Sequence, residues 1–534
     1  MPSVCFYFQV HQPFRLKRYT HTDIGTDHLY EDDVLNKQVL DKVAERCYLP
    51  TNKLMLELIK KHKKKFRISY SISGVALEQF EKWRPDVLKS FVDLAKTGCV
   101  EFLSETYNHS LSYLFSKDEF KRQVELHAAK IKKLFGQTPV VFRNTELIYF
   151  NELAKYAEDM GYKGIICEGV DWILNSRTPN YLYKAPNVTA IKSLLKNYRL
   201  SDDVAFRFSD KNWSEHPLTA EKFASWVHNI AGNGEVVNLF MDYETFGEHQ
   251  WEESGIFEFL KHLPEKIFLH PDFDFLTPSE VIAKYETHGV YDAHAPNSWA
   301  DTERDLSAWL SNNMQQEAMA KVYALETQVK GLNNDEVLAQ WARLLTSDHF
   351  YYMCTKYWSD GDVHKYFSPY DSPYEAYMYY INALADFELQ LDIKSGKGKS
   401  KKTVAAVTDK SKEVVKTPVA ETQKIKATET KVDLKETAPQ KLAPAKVVTT
   451  SKAESKVDKK EVTPLKTAPA SVTPAAKTEV KPVVTKVAET AKKETKAIPA
   501  TNKKPEAKPV IAKVAAKPAP ANNKKVVVKK AAKK

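Results

Sequence analysis

The chain has 534 residues, which is too many for one ordinary domain, and it carries a formal net charge of +10. No run of about 18 apolar residues occurs, so the composition excludes a membrane-spanning protein. The charge is divided near residue 395, because residues 395–534 hold 35 Lys against 13 Asp and Glu, which leaves residues 1–394 net acidic. All 9 Trp, 26 Tyr and 25 Phe lie in the acidic part, which predicts a large core there.

In chain order, the first 245 residues alternate short apolar runs with amphipathic helical patterns. Ser116 and Glu119 have capping-box spacing in front of a helix predicted over residues 120–135. Parallel strands that are covered on both faces read as such short apolar runs. Seven strands with helical crossovers predict an α/β fold, a seven-stranded parallel (β/α)7 barrel over residues 1–276. The predicted strands are residues 4–10, 66–71, 100–104, 140–144, 164–167, 188–192 and 236–241.

From about residue 277 the pattern becomes helical. Thr277 and Glu280 have the spacing of a helix start, with a proline at the first helical position. We expect an α-helical bundle over residues 277–394, packed on the barrel and completing the active-site cleft. Its predicted helices, without clear strands between them, cover residues 279–286, 302–328, 334–346 and 373–392.

The segment 395–534 consists mainly of Lys, Ala, Val, Thr, Pro and Glu and has no aromatic residue. It offers too little apolar area to offset the entropy of ordering, so we predict a disordered basic tail. A solvated tether is one interpretation. The other is a weak, salt-sensitive contact with nucleic acid or another polyanion.

Five widely spaced cysteines without a CxxC pair indicate reduced thiols. The first residues lack the basic segment and long apolar run of a signal peptide. We therefore expect a cytoplasmic protein. Glycine-rich phosphate-binding motifs are absent, which argues against a nucleotide enzyme, and no cofactor or metal is predicted.

Ionisable residues stand at the ends of several predicted strands. If these strands are parallel, the side chains converge on one rim, where barrel enzymes carry their chemistry. Two carboxylic acids are the minimal equipment for cleaving a glycosidic bond. Each residue alone also has a structural interpretation, as a hydrogen-bonded His or as an acid at a helix N-terminus. The residues are His11, Glu105, His109, Glu146 and Asp242.

Several segments, in this order, resemble the motifs of glycoside hydrolase family 57, most closely its α-amylases. The resemblance covers about residues 3–390 and excludes the tail. It implies a seven-fold β/α barrel with a helical bundle, and action on α-1,4-glucans such as starch or glycogen by hydrolysis, glucan transfer or branching. The segments are His11-Gln12-Pro13, Gly98-Cys99-Val100-Glu101-Phe102 continuing to His109, Arg143-Asn144-Thr145-Glu146, Asp242-Tyr243-Glu244-Thr245-Phe246-Gly247, Asn297-Ser298-Trp299 and Thr346-Ser347-Asp348-His349-Phe350.

The resemblance implies that Glu146 is the nucleophile and Asp242 the general acid/base of a retaining reaction. Two such carboxyl groups are expected to lie about 5–5.5 Å apart. The charge of Glu146 should then raise the pKa of Asp242 until the glycosyl ester forms.

Five further residues are expected to bind substrate, although a structural role remains open for each. His11 and His109 would bond sugar hydroxyls, and Trp299 would stack on an apolar sugar face. Asp348 would orient a glucose hydroxyl. Glu244 would share a face with Asp242 and bond either that acid or a sugar.

Other classes of protein remain open from the sequence. The same site could belong to a 4-α-glucanotransferase or an α-glucan branching enzyme. A metal-dependent polysaccharide deacetylase would need His11, Asp23, His21 and His28 around one ion, without the tight spacing such sites prefer. A non-catalytic glucan-binding protein is a further alternative.

Overall fold

The computed structural model describes residues 2–356 and 366–396. The predicted tail beyond residue 396, and with it the predicted contact with nucleic acid or another polyanion, lies outside the described residues. None of the described helices is both long and apolar enough to cross a membrane.

The first sheet is built around the N-terminal strand β1 (Ser3–Val10), all eight residues of which are buried. On one side it pairs along Ser3–Gln9 with β8 (Val236–Asp242). On the other side it pairs at Ser3 and Val4 with β9 (Asp274–Phe275) and at Tyr7–Val10 with β2 (Ile68–Ile72), which pairs in turn with β3 (Val100–Phe102). All four pairings are parallel, so the C-terminal ends of the strands lie at one edge. The register places Gln9 beside Asp242.

The second sheet contains the strands β4 (Val141–Arg143), β5 (Gly164–Glu168), β6 (Leu182–Lys184), β7 (Lys192–Lys196) and β10 (Thr287–Val290). Their order across the sheet is β10-β6-β7-β5-β4. Its pairings are parallel except for the antiparallel pair of β6 and β7.

Backbone hydrogen bonds join the two sheets along two lines. Between β3 and β4, Ser104 N donates to Val141 O over 3.0 Å and Arg143 N donates to Ser104 O over 2.8 Å. Between β7 and β8, Asn197 N donates to Asn238 O over 2.9 Å. These bonds bring the C-terminal ends of β3, β4, β7 and β8 toward one another.

Alternate residues of β1 pack on opposite faces of the sheet, as the two-residue period of a strand requires. Phe6 and Phe8 belong to the core beneath the surrounding helices, whereas Cys5 and Tyr7 pack with interior residues of other strands, among them Val141. Burial on both faces explains why the strand is apolar without interruption from Val4 to Phe8.

The α-helices lie between the strands and dominate the chain after β10. Ser116 Oγ accepts from Glu119 N at the start of one helix, and Thr277 and Glu280 form the expected capping box at another. The helices are Asp33–Val43, Leu49–Lys61, Gly74–Trp83, Pro85–Ala95, Lys117–Phe135, Asn151–Asp159, Asp171–Leu174, Tyr198–Ala205, Ala220–His228, Ile256–Ile267, Pro278–Lys284, Ser307–Leu310, Asn313–Ala324, Glu326–Gly331, Asp335–Leu344, Ser347–Tyr351 and Pro373–Lys394.

The α/β class with parallel sheets is confirmed, but one strand position is wrong. The predicted strand at residues 188–192 lies at Lys192–Lys196, because the apolar Val188 and Ile191 pack in the core ahead of the strand and not within it. The strands β6, β9 and β10 were not predicted, since they have two to four residues and little periodicity.

Two expectations for the helical part also need correction. The strand Thr287–Val290 lies in the region predicted to have no clear strands, and its alternating half-buried and exposed residues give no apolar run. The helix predicted over residues 302–328 is instead three shorter helices, the first ending at Leu310 and the next capped by Asn312. The closed seven-stranded barrel and the boundaries at residues 276 and 394 stay predictions.

Candidate active site

A cavity of about 480 Å³ opens at the C-terminal ends of the parallel strands. Its wall contains every residue for which the sequence predicted a catalytic or substrate-binding role. The seven residues are His11, His109, Glu146, Asp242, Glu244, Trp299 and Asp348. The structure therefore brings together side chains separated by as many as 337 positions in the sequence.

Glu146 follows β4 in the short 3₁₀ turn Thr145–Leu147, with a backbone φ of 58°. This left-handed conformation is uncommon for a residue with a side chain. Both carboxylate oxygens accept hydrogen bonds: Oε1 from His109 Nε2 over 3.0 Å and Oε2 from Trp299 Nε1 over 2.8 Å. The carboxylate is thus held in one orientation at the cavity wall.

His109 lies between two carboxylates. Its Nδ1 is 3.0 Å from Glu105 Oε2, and its Nε2 contacts Glu146, so both ring nitrogens face acceptors. Burial alone would lower the pKa of His109, but the hydrogen bonds to Glu105 and Glu146 raise it to about 9. The ring is therefore a doubly protonated imidazolium at neutral pH, donating from both nitrogens.

Glu146 and Asp242 have pKa values displaced in opposite directions. Burial would raise the pKa of Glu146, but the hydrogen bond and charge of His109, with help from Arg143 and Trp299, lower it. Burial and then the charge of Glu146 raise the pKa of Asp242 to about 6. One carboxyl is thus kept ionised and the other is poised to hold a proton near neutral pH.

Glu244 sits two residues beyond Asp242 and accepts a hydrogen bond from the Tyr48 hydroxyl. Burial and the charge of Asp242 raise its pKa to about 8, so it is largely protonated at neutral pH. The chain then turns at Gly247, whose φ is 107° and where a Cβ would stand 2.0 Å from the backbone oxygen of Arg46. Only glycine fits this turn.

His11 and Asp348 form a second pair at the cavity wall. His11 Nε2 lies 2.9 Å from Asp348 Oδ2, and His11 Nδ1 lies 2.7 Å from Ser73 Oγ. Ser73 also caps the helix Gly74–Trp83, which fixes the position of its hydroxyl. The carboxylate needs a donor, so Nε2 carries the proton and Nδ1 accepts from Ser73.

Trp299 is bound to Glu146 through both its backbone and its side chain. In addition to the indole contact, Trp299 N donates to Glu146 O over 3.2 Å. The indole ring lies 5.3 Å from the Arg143 guanidinium and 5.3 Å from Lys196 Nζ. The expected stacking of Trp299 on a sugar stays a prediction, and the structure adds a direct contact with Glu146.

Two cations on the cavity wall were not identified from the sequence. Arg143 is fully buried, its nearest carboxylate oxygen is that of Glu105 at 3.8 Å, and none of its side-chain nitrogens hydrogen-bonds a described residue. Lys196 ends β7 and pairs with Asp202 over 3.0 Å. Lys196 was not predicted because the sequence placed its strand at residues 188–192, before the true position. Arg143 lies in the segment Arg143-Asn144-Thr145-Glu146, but nothing in the sequence indicated that its side chain would line the cavity.

Glu105 was expected at the rim of the barrel. The structure places it behind His109, so it can affect the cavity only through another residue. It is fully buried, accepts from Ser71 Oγ over 2.5 Å and contacts His109, without lining the cavity. Burial would raise its pKa, but His109 and Arg143 lower it to about 2. Glu105 is therefore an ionised partner that keeps His109 charged.

The residues considered for a metal-dependent deacetylase do not meet. His28 pairs with Asp386 over 2.8 Å, Asp23 accepts from Thr20, and His11 faces Asp348 in the cavity. Among the residues that the structure describes, no group of three or more His, Cys, Asp or Glu side chains could hold a metal ion.

The fold and this rim define an α/β protein with ionisable side chains at the C-terminal ends of parallel strands. The family model described as glycosyl hydrolase family 57 matches residues 5–294. A protein of Methanocaldococcus jannaschii named "Putative alpha-amylase" is 48% identical over 397 residues, covering 72% of this chain and 84% of that protein. The chain belongs to glycosyl hydrolase family 57.

Solved structures are similar in fold. A GH57-type branching enzyme from Pyrococcus horikoshii has a TM-score of 0.54 and 15% identity, with 76% of this chain and 94% of that chain covered. The alpha-amylase AmyC from Thermotoga maritima has a TM-score of 0.50 and 14% identity, with 74% and 94% covered. At these identities the likeness concerns the fold alone.

Proposed function

We propose that the chain is a retaining glycoside hydrolase that cleaves α-1,4-glucans by double displacement, without a cofactor. One observation carries this proposal: two carboxyl groups on one cavity wall, Glu146 and Asp242, have pKa values displaced in opposite directions. A reaction that needs an ionised nucleophile and a protonated acid at the same pH requires such a pair.

In the first step, the Glu146 carboxylate attacks the anomeric carbon while Asp242 gives its proton to the departing glycosidic oxygen. The bond from the anomeric carbon to that oxygen breaks, and a glycosyl ester of Glu146 forms. The donors His109 and Trp299 hold the carboxylate for this attack and keep it ionised.

In the second step, Asp242 removes a proton from the incoming acceptor, whose oxygen attacks the anomeric carbon and releases Glu146. Ester formation removes the negative charge of Glu146, which is one of the two causes that raise the pKa of Asp242. The pKa of Asp242 therefore falls once the ester exists, and the acid becomes a base when one is needed. Water as acceptor gives hydrolysis.

A sugar hydroxyl as acceptor would instead give glucan transfer or branching on the same site. The choice depends on how the bound acceptor competes with water. Product analysis on maltoheptaose separates these reactions: shorter sugars alone indicate hydrolysis, longer linear sugars indicate transfer, and α-1,6 linkages indicate branching. We propose hydrolysis because the 48% identical relative carries the name "Putative alpha-amylase".

Two substitutions test the assigned roles. Glu146→Gln should lower kcat by roughly 10⁴-fold or more, because the amide is not a nucleophile. Asp242→Asn should slow both steps, but a substrate with a good leaving group needs no proton in the first and should regain part of that rate. Wild-type rates in the first variant, or no rescue in the second, would remove the assignment.

We also infer that the parallel strands β1, β2, β3, β4, β5, β7 and β8 close into the predicted barrel, with residues 1–276 as catalytic domain and 277–394 as helical bundle. The hydrogen bonds along both lines where the sheets meet support closure. The five cysteines are free and buried, which supports the proposed cytoplasmic location.

A further inference from the structure

Three aromatic side chains stand exposed at the wall of the cavity. Phe206 is 63% exposed, Tyr366 is 61% exposed and Phe367 is 41% exposed, and all three line the same cavity as Glu146 and Asp242. Large apolar rings facing water in one place, continuous with a candidate active site, indicate a surface that is covered when a ligand binds. These three residues are called the aromatic rim below.

The segment that follows Asp242 supports the aromatic rim. His249 N donates to Glu244 O over 2.9 Å, so the position of His249 depends on the turn next to the proposed acid. The His249 ring lies 5.6 Å from the Phe367 ring and 6.2 Å from the Tyr366 ring, and the latter two meet edge to face at 5.0 Å.

The segment that contains His249 also positions the chain next to Phe206. Phe206 follows the helix Tyr198–Ala205, and the carbonyl of Ala205 accepts from Gln250 Nε2 over 2.8 Å. His249 and Gln250 are adjacent in the chain, so this short segment positions Tyr366 and Phe367 on one side and Phe206 on the other. The aromatic rim is thus linked to Asp242 through the contacts of this segment, while its exposed rings can contact a ligand.

The chemistry of the rim favours an uncharged ligand with an apolar face. Phe206 and Phe367 carry no polar group, and burial lowers the pKa of His249 to about 4, so that ring is neutral at neutral pH. The axial C–H groups of a glucose ring form such a face and pack against aromatic rings. A charged peptide or a phosphate would find no complementary charge on these three side chains.

We propose that the aromatic rim is a specificity-determining subsite that binds a glucosyl unit of the bound α-glucan beyond the two rings joined by the cleaved bond. This inference rests on the proposed function. It predicts that the enzyme prefers long α-glucans because they reach the rim, and that short substrates end before it.

The test compares kcat/KM for maltoheptaose with kcat/KM for 4-nitrophenyl α-maltoside in the full-length chain. Phe206→Ala and Tyr366→Ala should each lower the ratio of the two values about three- to tenfold, because stacking contributes only to the long substrate. Trp172→Ala is the matched control, since Trp172 is 62% exposed and does not line the cavity. It should leave the ratio unchanged.

An equal loss on both substrates, or an unchanged ratio in both rim variants, would overturn the subsite. If the wild-type protein turned over neither substrate, the proposed function would fail separately. The subsite would then be judged by calorimetric binding of maltoheptaose to the Glu146→Gln protein with and without Phe206→Ala. Equal affinity in those two proteins would overturn it as well.

Discussion

The imidazole rings of His11 and His109 are stacked, with centroids 3.8 Å apart and 17° between their planes. Two stacked imidazolium ions would repel each other, so one ring carries the charge at neutral pH. Glu105 and Glu146 raise the pKa of His109, whereas burial and the charge of His109 lower the pKa of His11. The positive charge is thereby assigned to the ring that contacts Glu146.

This assignment makes stability depend on pH. The pKa of His109 rises from 6.5 in the unfolded chain to about 9 in the fold, so its contribution is complete below pH 6.5 and is lost as the pH rises through 9. His109→Asn should therefore destabilise the protein by up to about 3 kcal/mol at pH 6 and by much less at pH 9.5. Urea unfolding at both pH values measures this difference. Equal destabilisation at the two values would contradict the charge on His109.

The indole of Trp299 should be required for its hydrogen bond and not only for its bulk. Trp299→Phe keeps an aromatic ring but leaves Glu146 Oε2 without its donor. We expect kcat to fall about 10- to 100-fold, because the carboxylate is less well oriented, and the acidic limb of the pH profile to move to higher pH. Trp341→Phe is the control, since its indole donates to Val322 O at 2.8 Å in the helical part. A similar loss of kcat in both variants would contradict a role at Glu146.

Arg143 should set the pH range of activity through its charge. Burial raises the pKa of Glu146 and of Asp242, and the guanidinium opposes this effect at both; Lys196 and His109 also oppose it at Asp242. In Arg143→Met, both limbs of the kcat/KM profile should therefore move to higher pH. Arg143→Lys retains the charge and should keep the limbs near their wild-type positions. A uniform loss of rate without movement of either limb would indicate a structural role only.

Gly247 should tolerate no side chain. Its positive φ and the Arg46 oxygen 2.0 Å from a Cβ predict that Gly247→Ala costs about 3 kcal/mol or more. Gly136→Ala, with a φ of 73° but open space, should cost about 1 kcal/mol, and Gly331→Ala, with neither constraint, should be neutral or slightly stabilising. Thermal unfolding of the three variants tests this order. Gly247→Ala as stable as Gly331→Ala would contradict the geometry.

The parts of the site that sequence could predict lie at strand ends with a strong apolar pattern. Glu146 and Asp242 each end a buried run, so their positions followed from the alternation of strands and helices. Lys196 could not be found in this way, because the apolar residues before its strand mimic a strand in the wrong place. The role of Arg143 could not be predicted from the sequence either. Its charge affects the site because the side chain is buried without a hydrogen-bonded partner among the described residues, and only the fold shows this.

The short strands could not be predicted for a different reason. A strand such as Thr287–Val290 has no apolar run, and it exists only because β6 presents a free edge for it to pair with. The roles of the histidines were likewise only partly predictable. Sequence placed His11 and His109 near the site, but their stacking and the unequal sharing of charge depend on distances that only the fold defines.

If Glu146 is the nucleophile, the reaction passes through a covalent glycosyl ester on its side chain. The most direct measurement is mass spectrometry of proteolytic peptides after reaction with a 5-fluoro-α-glucosyl fluoride, which forms the ester but hydrolyses it slowly. We expect one added glycosyl group on the peptide that contains Glu146, and none in the Glu146→Gln protein. A label on another residue, or turnover of maltoheptaose that releases the β-anomer first, would contradict it.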